Sequence, residues 1–136
     1  MTQSTSFTDL TGCRVPIQQA PMGSISTPAL AVAVAAAGGV GTITALGIRA
    51  GRLDAMLSEL TARTDGVLAV NFLTDQIDRE AVAVAGHRVP IVDFFWTDPD
   101  PSLVGARRLT NQQRRPLSHS FGEPRRSRRP LRPSPS

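Results

Sequence analysis

The chain has 136 residues, enough for one ordinary domain, and a net charge of +4. It contains no apolar run of about 18 residues, so we expect no transmembrane helix and no membrane partner; its first six residues also lack the basic and apolar regions of a secretory signal. The single cysteine, Cys13, excludes an intrachain disulfide and is typical of a reducing, cytoplasmic location.

The charge is divided unevenly along the chain. Residues 1–104 carry six arginines and ten carboxylates, a net charge of −4, whereas residues 105–136 carry nine arginines and one glutamate, a net charge of +8. The second segment also holds five prolines and five serines, and it cannot bury enough apolar surface to offset the entropy of ordering. We therefore predict a globular domain over residues 1–104 and a disordered basic tail over residues 105–136. A composition of Arg, Pro and Ser without Lys also fits GC-rich coding sequence read out of frame, and this origin stays open.

Strand and helix signals alternate through the predicted globular domain. The predicted strands cover residues 14–20, 40–45, 67–73 and 90–96, and the predicted helices cover residues 29–37, 51–63 and about 75–87, with a fourth helix opening at residue 98. Alternation at this spacing indicates right-handed βαβ units and a parallel sheet. By itself this pattern fits a half barrel and one wing of a doubly wound sheet equally well.

Local signals set the ends of these elements. Thr27 is predicted to cap the first helix, with Pro28 at its first position, and Gly38-Gly39 end it. Thr74 or Asp75 is predicted to cap the third helix. The glycines of Gly38-Gly39-Val40-Gly41 follow a helix and precede a strand, which is the reverse of a dinucleotide-binding fingerprint.

The segment from Val15 to Pro28, VPIQQAPMGSISTP, resembles the opening strand, loop and helix of the nitronate monooxygenases, also called the 2-nitropropane dioxygenase family. The resemblance covers roughly the first hundred residues and includes Val70-Asn71-Phe72. It implies an α/β fold: a truncated TIM (β/α)8 barrel of about four parallel strands with three to four helices, followed by the tail. A complete barrel needs about 250 residues.

The resemblance also implies an FMN site. In the family the first loop lies against the isoalloxazine ring, and the Asn of the third strand contacts it. The cofactor-binding residues carried over are Gln19, Ala20, Pro21, Met22, Gly23 and Asn71. From the residues alone, the loop merely turns the chain, and Asn71 satisfies a neighbouring loop as readily as it binds a ligand.

The resemblance further implies a reaction: alkyl nitronates are oxidised with O2 to a carbonyl compound and nitrite. The family's base is a histidine in an Ala-Gly-Gly-His motif, and Ala85-Gly86-His87 lacks the second glycine and stands in a predicted helix. The family's glycine-rich phosphate loop belongs to the second half of the barrel. We therefore assign no catalytic residue and no metal ligand, and we expect this chain alone to be inactive.

Two other functions stay open. The first is a barrel of the FMN-type enoyl-acyl-carrier-protein reductase class, which shares the opening loop. The second is a non-enzymatic protein that binds an acidic partner or nucleic acid through its arginines, although Phe121 is the tail's only aromatic residue and we expect no specific nucleic acid partner. A partial barrel also leaves open sheet edges, which predict self-association.

Three further residues receive interpretations from their positions. Asp93 lies in the fourth strand on the face opposite Val92 and Phe94, where it lines a pocket or pairs with an arginine. Cys13 is interpreted as a small buried apolar residue. His87 is interpreted as a residue of a helix end, where a cation suits the helix dipole.

Overall fold

A computed structural model describes residues 4–96 and 99–105 of the chain. The predicted basic tail lies outside the described residues, apart from Gly105. The elements in chain order are α1 (Ser6–Thr11), α2 (Pro28–Ala37), β1 (Val40–Thr44), α3 (Ala50–Arg63), β2 (Val67–Leu73), α4 (Arg79–Arg88), β3 (Ile91–Phe95) and α5 (Pro101–Gly105). In this part of the chain, no helix combines the length and the apolar character needed to cross a membrane.

The three strands form one parallel sheet in the order β1-β2-β3. Each strand is followed by a helix, and α3 and α4 connect neighbouring strands as the alternation predicted. In the register of the sheet, Thr44 is the partner of Asn71, and Asn71 is the partner of Asp93. These three positions therefore form one row across the sheet near the carboxyl ends of the strands.

The first predicted strand, over residues 14–20, is reduced to a single parallel bridge between Gln18 and Val40. The Val40 N–H donates to the Ile17 carbonyl at 2.9 Å, and the Gln19 N–H donates to the Val40 carbonyl at 2.9 Å. The segment thus occupies the predicted position beside β1, but it forms too few rungs to count as a strand. The parallel sheet has three named strands and this bridged segment instead of four full strands.

The two faces of the sheet pack differently. The main core lies between the sheet and the helices, and Leu53, Leu57 and Leu60 of the predicted amphipathic helix α3 are fully buried in it. Each such leucine contributes about 1.5–3 kcal/mol of transfer free energy. On the opposite face, a small cluster of Cys13, Val40, Ala69 and Ile91 covers only the amino-terminal half of the strands.

Helix α2 packs on the sheet through glycine and alanine. A Cβ at Gly41 of β1 would lie 1.9 Å from the Ala31 carbonyl oxygen, and a Cβ at Gly66 would lie 2.1 Å from that of Ala35. The small residues of α2, β1 and the turn before β2 therefore allow helix and sheet to approach closely. Gly38 ends α2 at φ 105°, as expected for one of the two glycines there.

Two helix starts differ from the prediction. The cap of α4 is Asp78, whose carboxylate accepts from the N–H groups of Glu80 and Ala81 at 3.0 and 3.3 Å. Thr74 and Asp75 belong instead to a separate 3-10 turn, and the Thr74 hydroxyl donates to the Phe95 carbonyl. The short helix α1 was not predicted; Thr5 and Thr8 cap it reciprocally through a capping box.

Candidate functional site

A row of polar side chains crosses the face of the sheet opposite the one on which α2, α3 and α4 pack. In β2, Val70 and Phe72 pack in the helix-side core, so Asn71 between them points to the other face. The same alternation places Thr44 of β1 and Asp93 of β3 on that face, beside Asn71. We call Thr44, Asn71 and Asp93 the polar row.

Two buried polar atoms at this end of the sheet have no hydrogen-bond partner among the described residues. The two atoms are Thr44 Oγ1 and Gln19 Oε1. Asn71, the register partner of Thr44, is a polar residue that is only 3% exposed. Since leaving a buried polar group unpaired costs about 1–3 kcal/mol, such a cluster points to a ligand that completes it.

Asp93 is tied to the first segment of the chain. Gln18 Nε2 donates to Asp93 Oδ2 at 2.5 Å and lies 3.4 Å from Thr42 Oγ1. Asp93 is buried and lies on the face of the sheet opposite Val92 and Phe94, as predicted. The amide of Gln18 therefore spans the sheet from the segment beside β1 to β3.

The loop from Gln19 to Gly23 is held from within. The hydroxyl of buried Ser26 accepts from the Met22 N–H at 2.7 Å and donates to the Ala20 carbonyl at 2.9 Å. Gly23 begins a 3-10 turn at φ 49°, and a Cβ there would meet no atom within 4 Å. The backbone at Gly23 is therefore open to a closely approaching group.

The loop begins where proline interrupts the pairing with β1. Pro21 has no N–H to continue the ladder, and Gln19 Nε2 donates to the Thr42 carbonyl at 3.0 Å. Gln19 is thereby buried, whereas Ala20, Met22 and Gly23 are exposed and Pro21 is half-buried. Five of the six predicted cofactor-binding residues thus lie in this loop, and Asn71 lies on the strand next to β1.

Apolar side chains are exposed at the carboxyl ends of the strands. We define the apolar rim as the exposed residues Met22, Ile25, Leu46, Phe95 and Trp96. Trp96 is 72% exposed, its φ of 88° is unusual for a bulky residue, and its ring lies 4.8 Å from that of Phe95. An apolar rim around unpaired polar groups suits a planar ligand with apolar faces and a polar edge.

Sequence reasoning missed Gln18 and Thr44. Thr42 and Thr44 alternate with Gly41 and Ile43, so two polar side chains share one face of an otherwise apolar strand. That period of two was the available signal for Thr44. Nothing local marks Gln18, because its partner Asp93 is 75 residues away in the sequence.

Cys13 and His87 lie in surroundings that indicate structural roles. Cys13 is buried, and its sulfur accepts from the Thr11 hydroxyl at 3.0 Å. His87 lies in the last turn of α4, as interpreted from its position. Among residues 4–96 and 99–105, no group of three or more His, Cys, Asp or Glu side chains is placed to hold a metal ion.

Comparison with known proteins gives matches over most of the described residues. A family model described as nitronate monooxygenase matches residues 4–92. A curated nitronate monooxygenase from Pseudomonas aeruginosa is 48% identical over 92 residues, which are 68% of this chain and 24% of the relative. The chain thus spans about a quarter of the length of that curated relative.

Solved structures show the same architecture. FabK from Thermotoga maritima has a TM-score of 0.65 and 33% identity, covering 72% of this chain and 32% of FabK. Nitroalkane oxidase from Streptomyces ansochromogenes has a TM-score of 0.63 and 25% identity, covering 76% of this chain and 40% of the oxidase. The described sheet and helices are therefore part of a TIM (β/α)8 barrel, as the resemblance implied. The polar row lies on the inner side of that partial barrel, at the end where such barrels build their sites.

Proposed function

This chain belongs to the nitronate monooxygenase family, and from that premise we propose that it forms the ring-binding part of an FMN-dependent oxidoreductase. The observation that carries the proposal is that Gln19 Oε1 and Thr44 Oγ1 are buried without a hydrogen-bond partner among the described residues, next to the buried amide of Asn71 and the apolar rim. An isoalloxazine ring has two apolar faces and an edge of carbonyl and N–H groups. The residues present fit such a ring.

Each part of the site has a proposed role toward the ring. Met22 and the rest of the apolar rim cover a ring face, and the open backbone at Gly23 lets the ring approach the loop. The amide of Asn71 pairs with the polar edge, because an amide can both donate and accept. Gln19 offers its free Oε1 while its Nε2 stays bonded to the Thr42 carbonyl.

The proposed reaction of the whole barrel is oxidation of alkyl nitronates with O2 to a carbonyl compound and nitrite. FMN, when bound, supplies the electron transfer to oxygen. The described residues contribute binding and orientation of the ring. The family's Ala-Gly-Gly-His base motif does not occur in these 136 residues, so we propose that this chain alone releases no nitrite. The proposed compartment is the cytoplasm, from the single Cys13.

The alternative functions receive less support. The 48% identity to a nitronate monooxygenase exceeds the 33% identity to FabK, which favours the nitronate reaction over that of another barrel. A barrel of the FMN-type enoyl-acyl-carrier-protein reductase class remains the second proposal. The binding function of the arginine tail falls on residues outside the described part of the chain, and no observation favours it.

Titration of the 136-residue chain with FMN and with riboflavin, followed by flavin fluorescence, tests the proposal. Both flavins are expected to bind with dissociation constants within about a factor of two, because the proposed contacts involve the ring and not the phosphate. Addition of a nitronate and air is expected to release no nitrite. A folded chain that binds neither flavin would overturn the proposal, and nitrite release would overturn its statement on inactivity.

Gly23→Ala provides the matched test of the loop. The added methyl group meets no protein atom, and the backbone strain of Ala at the positive φ of 49° is matched in the control variant, so a loss of affinity beyond that of the control indicates a ring in the open space; we expect a loss of about tenfold. Gly47→Ala is the control, because Gly47 also has a positive φ, 68°, and open surroundings. Equal flavin affinities of the two variants would remove the loop from the site.

A further inference from the structure

We propose that Thr44 is a further ligand-binding residue, whose hydroxyl pairs with the carbonyl and N–H edge of a planar ring beside Asn71. The inference rests on the proposed function and extends it to a residue that the family resemblance did not assign. It starts from the position of Thr44 as the last residue of β1.

Thr44 and Asn71 are placed to contact one ligand edge. They are register partners on neighbouring parallel strands, so their Cα atoms are about 4.8 Å apart. Both side chains point to the inner face of the sheet, away from the core that the sheet forms with α2, α3 and α4. At that spacing, both side chains can reach the same edge of one fused ring.

The Thr44 hydroxyl is unsatisfied without a ligand. Its oxygen is buried and has no hydrogen-bond partner among the described residues, although the residue as a whole is partly exposed. Rotation about the Cα–Cβ bond to another staggered rotamer changes what the hydroxyl faces. A hydroxyl that both donates and accepts can then complement either polar group of a ring edge. Binding thereby removes the cost of the unpaired group.

Thr42 shows what a structural threonine looks like at the neighbouring position. It lies two residues earlier on the same face of the same strand and is fully buried. Its Oγ1 accepts from Gln18 Nε2 at 3.4 Å, so its hydroxyl has a partner within the protein. The two threonines differ in whether the fold itself pairs their hydroxyls, and this difference assigns Thr44 to the ligand.

The test compares Thr44→Val and Thr42→Val in the 136-residue chain, by thermal unfolding without flavin and by titration with riboflavin. Thr44→Val keeps the shape and removes an unpaired hydroxyl, so its Tm is expected to rise by about 4–8 °C. Its riboflavin affinity is expected to fall about 5–10-fold. A residue with a structural role only does not raise the Tm and lower affinity together.

The control variants separate the possible outcomes. Thr44→Ser is expected to restore riboflavin binding, and Thr42→Val is expected to leave the Tm unraised and the affinity within about twofold of the wild type. Unchanged riboflavin affinity of Thr44→Val, or a lowered Tm, would overturn this inference alone. A wild-type chain that binds no riboflavin would overturn the proposed function, and this inference with it.

Discussion

Asp100 stands directly before α5 and uses both of its carboxylate oxygens. Oδ1 accepts from the Ser102 N–H at 2.9 Å, and Oδ2 accepts from the Arg79 guanidinium at 2.6 Å. The Ser102 backbone bond, then the Ser102 hydroxyl, and then Arg79 lower the pKa of Asp100 from 3.8 to about 2. Through Arg79, Asp100 also ties the start of α5 to α4.

The link between α4 and α5 is expected to weaken in strong acid. A folded-state pKa below the unfolded value means that the stabilisation is complete above pH 3.8 and is lost as the pH falls through about 2. An NMR titration of the Asp100 carboxyl carbon should therefore have its midpoint near pH 2. Arg79→Gln should raise that midpoint only partway, because the Ser102 N–H remains. A wild-type midpoint near 3.8 would contradict the assignment.

The role of a single residue was predictable from the sequence where its hydrogen-bond partner lies a few residues away. Thr27 accepts from the Leu30 N–H at 3.2 Å, as its position before a predicted helix indicated. Sequence analysis missed the bond between Gln18 and Asp93, since no spacing rule connects residues that far apart. The contacts that shape the candidate site are of this second kind.

At the scale of secondary structure elements, the contact between α2 and the sheet fixes the distance between helix and strands. Gly41 of β1 and Gly66 before β2 face the backbone carbonyls of Ala31 and Ala35. Because a backbone oxygen cannot move away as a side chain does, neither glycine position has room for a Cβ. These contacts hold α2 against the outer side of the sheet, behind the polar row.

Gly41→Ala is expected to lower the free energy of unfolding by about 3 kcal/mol or more, because α2 must move away from β1. Gly86→Ala is the matched control: Gly86 lies within α4, where a Cβ would meet no atom within 4 Å. That variant should gain about 0.4–1 kcal/mol. Urea denaturation with a constant m-value measures both changes. Similar effects of the two substitutions would show that α2 packs less closely than described.

The strands and helices with strong periodicity were predictable. The strand over residues 67–73 and the end of α3 at Arg63 lie where the pattern put them. The first strand was predicted too long, because an apolar segment next to proline resembles a strand although its ladder stops after a few bonds. Helix α1 has only six residues and therefore too little periodicity to detect.

At the scale of the whole molecule, the described sheet has two outer edges. Among the described residues, no strand pairs with the outer edge of β3, and the other edge is the bridged segment around Gln18. On that segment Ile17 is 63% exposed and Val15 is 38% exposed. Exposed edges with apolar side chains pair readily with other chains.

We expect the isolated chain to self-associate at micromolar concentration, as measured by size-exclusion chromatography with light scattering. Ile17→Lys should shift the distribution toward monomer, because a charge on an edge opposes strand pairing. Leu30→Lys is the control, since Leu30 is exposed on α2 and not on a sheet edge. A sharp monomer peak for the wild-type chain would contradict the expectation.

The overall architecture was predictable only through the family resemblance. Strand–helix alternation fits a barrel and a doubly wound sheet alike, because both are built from the same right-handed βαβ units. The distinguishing information lies in the residue types of the loop from Gln19 to Gly23 and of Asn71, because these residues carry the family resemblance. The polar row was hidden because it exists only in the register of three strands.

Pro21 ends the backbone pairing between the first segment and β1. The last backbone hydrogen bond from this segment to β1 is donated by the Gln19 N–H. The side-chain amide of Gln19 takes the place of the next ladder bond by donating to the Thr42 carbonyl. Any other residue at position 21 would supply a backbone N–H for the Thr42 carbonyl and would extend the parallel ladder by one hydrogen bond. The backbone N–H would then displace the Gln19 side-chain amide from the Thr42 carbonyl, and the loop from Gln19 to Gly23 would be shorter. The pyrrolidine ring of Pro21 thus sets how many residues of the loop remain unpaired at the carboxyl end of β1.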